Sequence, residues 1–411
     1  MRSKRFIGVM SVATVLLMVL AGFAAVPGGA ADDKVEVVVL FKDSIDEQVI
    51  KDNNGKVSKK YSAIPLAVTK LTAKDIKALE KSDKVLAVEK NHIYSIAKPP
   101  TDRPGKPPKD DPPAQPDEDL PWGVDRIDAE DVWDTPATGA SITVAVIDTG
   151  IDKDHPDLEA NIIGGYNFVV QRGKLKASAW DDDNGHGTHV AGTIAGIRNN
   201  DIGVIGVAPD ASLYGIKVLN KWGSGYMTDV IDGILWAANL DLGDDDRIDV
   251  ISMSLSGPYS EALETAVDYA AYEMGIILVA ASGNNGGTSD PSVSYPAAYD
   301  SVISVGATDK FDNVADFSAY GDNLDLVAPG VSIYSTYKDG GYATGSGTSM
   351  ACPHVSGVVA LLLDSGVAPT DVLERMTETA DPLSNYDDKD GSGLVDAEQA
   401  VTGVDDGFDM S

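Results

Sequence analysis

Ser141-Ile142-Thr143-Val144-Ala145-Val146-Ile147-Asp148-Thr149-Gly150 decides the architecture. Its first seven residues are a near-continuous β-branched and apolar run, the pattern of a strand buried on both faces of a parallel sheet, and Asp148-Thr149-Gly150 ends it. Runs of the same kind at 212–219, 250–254, 276–281 and 301–305 alternate with helix-like segments, among them 227–239 and 262–274. Strand and helix in alternation predict a three-layer, doubly wound α/β domain with a mostly parallel sheet. Sites in such sheets form at the carboxyl ends of strands, where Asp148 stands. An Asp that merely closes a strand into a turn is the simpler reading of this motif alone, so its weight depends on whether the chain also supplies a base and a nucleophile.

Two motifs downstream supply both. Asn184-Gly185-His186-Gly187-Thr188-His189 leads into a helix whose Ala191, Gly192, Ala195 and Gly196 allow close packing on a sheet. His186 lies at the helix entrance, facing a cleft, whereas His189, one turn further in, reads as a packed structural residue. A zinc site is excluded, because a metalloprotease pair needs His at i, i+4 with Glu beside the first, and this pair is at i, i+3 with Gly. His155 and His354 lack such partners and also read as structural. Gly347-Thr348-Ser349-Met350-Ala351-Cys352-Pro353-His354 opens an apolar helix over 355–363, with Pro353 tolerated as part of a first turn that has no partner for its missing N–H. Ser349 then meets helix N-terminal N–H groups and the dipole, which favour developing negative charge. A fourth element is the strand at 276–281, which runs into the polar turn Ser282-Gly283-Asn284-Asn285-Gly286.

Taken in chain order, these motifs resemble the subtilisin family of serine proteases, and the similarity spans about 120–401. The order Asp, His, Ser is recognised from subtilisin itself. The resemblance implies that Ser349 is the nucleophile, His186 the general base and acid, and Asp148 the group that sets the imidazole tautomer. It also implies that Asn284 joins the Ser349 backbone N–H in an oxyanion hole. Gly223-Ser224-Gly225 and Ser254-Leu255-Ser256 match the family's two substrate-pairing edges, with Asn285 and Ser294 beside the pocket. Ser256 and Ser294 replace family glycines, which puts the size of the pocket for the residue before the scissile bond in question. A structural calcium ion is expected from Asp157, Asn200 and the loop 198–204, with Arg198, Ile202 and Val204 contributing carbonyls and Glu118 as the N-terminal ligand. Asp244-Asp245-Asp246 reads equally as a calcium-binding insertion or a solvated acidic run. Asp388 to Asp396 resembles an EF-hand loop with Gln399 in place of the bidentate Glu, yet Gly393-Leu394-Val395-Asp396-Ala397 also resembles the stretch that closes the family's catalytic domain.

The 411 residues allow more than one domain. Arg2, Lys4 and Arg5 precede an apolar stretch at 6–26 and the small residues Gly29-Ala30-Ala31, so 1–31 reads as a secretory signal peptide; an uncleaved anchor is the alternative. The expected protein is therefore extracellular, with no stable membrane anchor. Cys352 is the only cysteine, so no internal disulfide exists and it reads as a small packed residue. Charge is uneven: 32–97 carry 12 basic and 11 acidic residues, and 98–411 carry 17 against 53, a net of −36. That surface excludes nucleic acid and anionic membranes as partners and fits either high salt or calcium loading.

Residues 34–41, 45–52, 59–69, 73–81 and 85–89 read as strand, helix, further strand, helix and last strand, and with 59–69 supplying two strands the β-α-β-β-α-β order predicts a ferredoxin-like unit at 32–97. Ahead of a subtilisin-like domain, such a unit resembles the family's inhibitory propeptide, with self-cleavage near Ile96, Ala97 and Lys98. A Pro-rich acidic linker at 98–119, a catalytic domain at 120–403 and an acidic tail at 404–411 complete the expected organisation. The chain is expected to be a monomer acting on protein or peptide substrates. An esterase elbow is one residue away in Gly347-Thr348-Ser349-Met350-Ala351, but that class needs a later His, and His354 is too close on the same helix. A noncatalytic binding module is the remaining rival, and the complete set of motifs speaks against it.

Overall fold

The structure is a computed structural model that describes residues 33–96, 115–170, 173–243, 247–384 and 389–404. The expected signal peptide, most of the linker, the acidic run Asp244-Asp245-Asp246, Asp388 and the tail beyond Val404 lie outside the described residues. Among the described residues no helix is long and apolar enough to cross a membrane.

The N-terminal unit follows the expected order: β1 (Val35–Phe41), α1 (Glu47–Asp52), β2 (Lys59–Lys60), β3 (Leu66–Leu71), α2 (Ala73–Leu79) and β4 (Val85–Lys90). Its antiparallel sheet runs β2-β3-β1-β4. The strand region expected over 59–69 forms β2 and β3, because Ser62 to Pro65 turn the chain back on itself. Val37, Val39 and Phe41 of β1 face α1 and α2 in a small core, while Val38 and Leu40 face the main body. β5 (Ile93–Ile96) then leaves this sheet for another.

The body is built on seven parallel strands: β6 (Thr143–Asp148), β7 (Ile162–Asn167), β8 (Ser212–Lys217), β10 (Val250–Met253), β12 (Ile277–Ala281), β13 (Val302–Thr308) and β14 (Leu326–Pro329), in the order β14-β13-β12-β10-β6-β8-β7. Helices α3 (His186–Ala195) and α6 (Thr348–Asp364) cover one face. On the other lie α4 (Met227–Ala238) and α5 (Glu261–Asp268). Val144 and Val146 of β6 pack with the first pair, Ala145 and Ile147 with the second, which is why the run is apolar at every position. Strand order reverses at β6, between β8 and β10, and the crevice beyond its carboxyl end is the expected ligand position of a doubly wound sheet.

Two smaller sheets complete the fold. β15 (Ile333–Tyr337) and β16 (Gly341–Gly345) form a hairpin against α3. β9 (Ser224–Tyr226) and β11 (Leu255–Ser256) flank β5 on either side. The helix expected over 262–274 ends at Asp268 and continues as one π-helical turn, Tyr269–Glu273.

Pro353 corrects the expected start of the last helix. α6 begins at Thr348, so Pro353 sits inside it and cannot donate to Ser349 O four residues back. Ser254 Oγ takes over, donating to that carbonyl at 2.8 Å. The helix thus keeps its line without the proline N–H, and β10 is tied to the helix that carries Ser349.

Candidate active site

Asp148 ends β6 fully buried, and both its carboxylate oxygens lie 2.9 Å from His186 Nδ1. Thr149 N–H donates to Asp148 Oδ1 at 2.6 Å, and Gly187 N–H donates to Thr149 Oγ1 at 2.9 Å, which stitches the strand end to the helix entrance. Gly187 permits that approach: a Cβ there would lie 2.1 Å from Gly150 O. Gly185, at φ 110°, makes the preceding turn that a Cβ would disfavour.

Ser349 stands in the first turn of α6, which packs directly on α3. Its Oγ donates to Ser254 O at 3.2 Å, and His186 Nε2 makes no hydrogen bond. Rotation about the Ser349 Cα–Cβ bond exchanges the carbonyl acceptor for another. Asn284, beyond β12, accepts from Thr348 N–H at 2.9 Å and Thr348 Oγ1 at 3.1 Å through its Oδ1, so its Nδ2 is turned away from the helix. Asn284 lines a cavity of about 520 Å³ together with Ser224, Ser256, Asn285, Ser294 and the end of β5. Ser256 and Ser294, the two replacements of glycine, therefore both reach this cavity. Asn285 braces its loop, donating to the carbonyls of Asp290 and Ser292 at 2.7 and 2.9 Å.

The substrate-edge residues are brought together around β5. Leu255 and Ser256 pair antiparallel with Ile96 and Ser95, and Ser224 and Gly225 pair with Ser95 and Tyr94. Gly223 O accepts from Ile96 N–H at 2.9 Å. The chain's own segment is thus the middle strand of a three-stranded sheet in the crevice. The N-terminal unit also caps both helices behind it, since Glu89 accepts from Glu261 N–H at 2.8 Å and Ser260 Oγ at 2.5 Å, and Asn91 Oδ1 accepts from Thr228 N–H at 3.1 Å. Nothing in the local pattern of Glu89 or Asn91 marks them as caps for helices so far along the chain.

His155, His189, His354 and Cys352 are structural. His189 Nε2 meets Ile333 O at 3.1 Å and burial pulls its pKa down to about 4; His354 Nδ1 meets Met350 O at 2.8 Å, with the same cause and value. His155 Nδ1 accepts from Asp157 N–H at 3.2 Å, so Nε2 carries the proton shared with Gly341 O at 2.9 Å. Burial pushes the Cys352 thiol up to about 11, which keeps it protonated and unreactive.

At the expected calcium position Asp157 is fully buried, and burial pushes its carboxyl up to about 6. Asn200 Nδ2 donates to its Oδ1 at 2.7 Å and Val204 N–H to its Oδ2 at 2.8 Å, while Ile202 N–H donates to Asn200 Oδ1 at 3.0 Å. Arg198 turns its guanidinium outward to Asp210 at 3.3 Å, leaving only its backbone for the loop interior. Glu118 accepts from Asn199 and Asp201 N–H at 2.6 and 3.3 Å. Gln115 Oε1 accepts at 2.9 Å from Tyr342 OH, which also lies 3.3 Å from Asp157 Oδ2, so Gln115 is a second N-terminal oxygen beside this position. One buried carboxylate among amide and carbonyl oxygens, with no thiolate or imidazole donor set, fits a hard cation. No cluster of three His, Cys, Asp or Glu suited to a metal occurs among the described residues. At the C-terminal loop, Asp396 Oδ1 accepts from Gln399 N–H at 2.7 Å and caps the short helix Ala397–Thr402, and Leu394 bridges to Val327. That is the geometry of a closing stretch, with Asp396 committed to the helix.

A doubly wound sheet with an acid, an imidazole and a serine at its switch point, flanked by two peptide-binding edges, defines a serine hydrolase that handles extended chains. The profile of the subtilase family matches residues 139–402, and the chain belongs to that family. It is 38% identical to Subtilisin NAT of Bacillus subtilis subsp. natto, with 98% of this chain and all of that protein aligned. It is 45% identical to Subtilisin DY of Bacillus licheniformis over 69% of this chain and 98% of the relative, and 36% identical to M-protease of Shouchella clausii over 97% of this chain and all of the relative. The protein is a subtilisin-like serine endopeptidase acting on peptide substrates.

Proposed function

We propose that the protein is a secreted endopeptidase made as a self-processing, self-inhibited precursor, with Asp148, His186 and Ser349 as its triad. The observation that carries this reading is β5, held by both substrate edges with its end at the crevice. In the reaction, His186 Nε2 takes the Ser349 hydroxyl proton as Oγ attacks the scissile carbonyl. Asp148 accepts from Nδ1–H, holding the tautomer that leaves Nε2 basic and stabilising the imidazolium. Asn284 Nδ2 and the Ser349 backbone N–H receive the charge on the tetrahedral oxygen. Collapse releases the amine, protonated by His186, and leaves an acyl-enzyme that water hydrolyses by the same steps in reverse. Ile96 pairs with Leu255, next to Ser254, whose carbonyl is 3.2 Å from Ser349 Oγ, so self-cleavage is proposed near Ile96, Ala97 and Lys98.

Residues 32–97 would stay bound as an inhibitor after that cut. Calcium bound by Asp157, Asn200, Gln115 and the carbonyls of Arg198, Ile202 and Val204 would stabilise the loop 198–204 and take no part in the chemistry. The signal-like segment at 1–31 supports secretion.

The test is Ser349→Ala in the full chain. A folded precursor that never separates from 32–97 is expected, together with loss of labelling by a serine-directed covalent inhibitor, both read by mass spectrometry. Separation in the purified variant, with no other protease present, would show that Ser349 is not the nucleophile.

A further inference from the structure

Lys217 ends β8 in parallel register with Asp148, the last residue of β6. It is 1% exposed, and among the described residues no other lysine is buried. A buried ammonium is costly unless its hydrogens find acceptors, and here each of the three does. Nζ donates to Thr149 O, to Asp183 Oδ1 at 2.6 Å and to Leu219 O at 3.0 Å. The acceptors belong to three segments far apart in the chain. Thr149 follows the acid, Asp183 lies in the turn that enters α3 at His186, and Leu219 leads to the substrate edge at 223–225. Val218 and Leu219 N–H also donate to Asp148 O, at 2.9 and 3.0 Å.

The turn before His186 is braced from within. Asp182 Oδ1 accepts from Asn184 and Gly185 N–H at 2.8 and 2.9 Å, its Oδ2 accepts from Thr188 N–H and Oγ1 at 3.0 and 2.7 Å, and Asn184 Oδ1 accepts from His186 N–H at 3.2 Å. Two ties on Thr149 join this braced turn to the end of β6: Oγ1 receives Gly187 N–H, and the carbonyl receives Lys217, which also holds Asp183. Neutral hydrogen bonds reach Ile151 and Asp152 further along. Lys217 adds a charged tie next to the acid.

We propose that Lys217 is a positioning residue of the reaction, whose ammonium holds the histidine turn against the end of β6 so that the Asp148–His186 hydrogen bond is set before a substrate enters. The inference rests on the proposed triad. Charge-assisted hydrogen bonds are stronger than neutral ones, and acid–base geometry is sensitive to displacements on the order of 1 Å. Asp183 is 40% exposed, so without the ammonium its carboxylate can turn to water. Methionine would fill the space of the lysine stem, and exchange of a buried ion pair for packed apolar atoms is often neutral for stability. Removal of the ammonium therefore costs alignment more than folding.

Lys217→Met, Asp183→Ala and Asp183→Asn are compared with wild type by three rates and a thermal melt. The first rate is self-cleavage of the full chain, in which β5 already lies in the cleft and no binding step enters. The second is labelling of the mature enzyme at Ser349 by phenylmethanesulfonyl fluoride, which pairs with neither substrate edge. The third is kcat, with KM, on a peptide anilide. Lys217→Met is expected to lower all three together by roughly 10²-fold with KM nearly constant. Asp183→Ala, which cuts only the arm to the histidine turn, is expected to lower them by roughly tenfold. Asp183→Asn keeps an oxygen acceptor and is expected to stay within about threefold of wild type. A residue that only supported the fold would lower the Tm and spare the rates of the folded enzyme. Folded Lys217→Met with rates within about threefold of wild type overturns the proposal, as does a loss confined to KM or an Asp183→Asn variant as slow as Asp183→Ala. If Lys217→Met does not fold, the Asp183 pair decides: a loss in the alanine variant restored in the asparagine variant supports the tie, and equal rates in both refute it. Wild-type enzyme unlabelled at Ser349 would instead remove the triad reading, and this proposal with it.

Discussion

Gly187→Ala is expected to damage catalysis far more than stability. The new Cβ would lie 2.1 Å from Gly150 O and 3.2 Å from Asp148 Cβ, both on the segment that carries the acid. Restoring an ordinary contact requires a displacement on the order of 1 Å, and neither partner can yield cheaply, because one is backbone and the other belongs to a fully buried residue. The helix entrance must therefore move, loosening the hydrogen bond from Gly187 N–H to Thr149 Oγ1 and shifting His186 away from Asp148. A displacement of that size at the reacting groups lowers turnover by roughly 10²-fold, whereas overpacking of one methyl costs about 1–3 kcal/mol of stability. The edges at 223–225 and 254–256 are untouched, so the loss is expected in kcat with KM nearly constant. Steady-state kinetics on a peptide anilide, the rate of covalent labelling at Ser349 and a thermal melt on the same preparation separate the two effects. A folded variant with kcat/KM within about threefold of wild type would refute the coupling between Gly187 packing and the position of His186.

Asn284→Ala is expected to lower kcat by roughly 10² to 10³ with little change in KM, a magnitude known for the equivalent donor in subtilisin itself; a loss under twofold would remove Asn284 from the oxyanion hole. Chelation is expected to lower the Tm of the mature enzyme, since an ion bound only by the folded state stabilises it in proportion to the logarithm of its concentration. Asp157→Asn is expected to blunt that response more than Asp390→Asn, and equal calcium responses in Asp157→Asn and wild type would overturn the assignment. Inhibition by added segment 32–97 is expected to weaken as pH rises. In the complex, burial and then the Glu89 carboxylate of the added segment raise the Glu261 pKa. The charge that Glu89 brings makes Glu261 hold its proton more tightly in the complex than in the separated body, so affinity is fully present below the ordinary carboxylate range and falls as pH climbs above it. An inhibition constant that is flat from about pH 4 to 8, or a slope unchanged in Glu261→Gln, would contradict this.

What could be read from the sequence is what local chemistry records. β6 is apolar at every position because both its faces are covered, so the strand, its parallel setting and the acid at its end can be inferred from ten consecutive residues. His186 and Asn284 each adjoin a glycine, and Ser349 follows one by two residues, as a helix entrance or tight turn needs, which marks them without any knowledge of their partners. The contacts that escaped have no such local trace. Ser254 replaces the N–H missing at Pro353 across 95 residues to Ser349, and Gln115 reaches the calcium position through Tyr342 across 227. β7 escaped for a different reason: Ile162-Ile163-Gly164-Gly165-Tyr166-Asn167 carries two glycines, which weaken the local signal of a strand. In the fold those two glycines lie beneath the Tyr214 and Trp180 rings, where a Cβ would come within 2.7 and 2.3 Å, so the residues that hide the strand are the ones that let the aromatic rings close over the sheet's edge. The same logic applies to Gly257. Its lack of a side chain says nothing in sequence, yet it opens the space that the Tyr94 ring fills when β5 lies between the two edges.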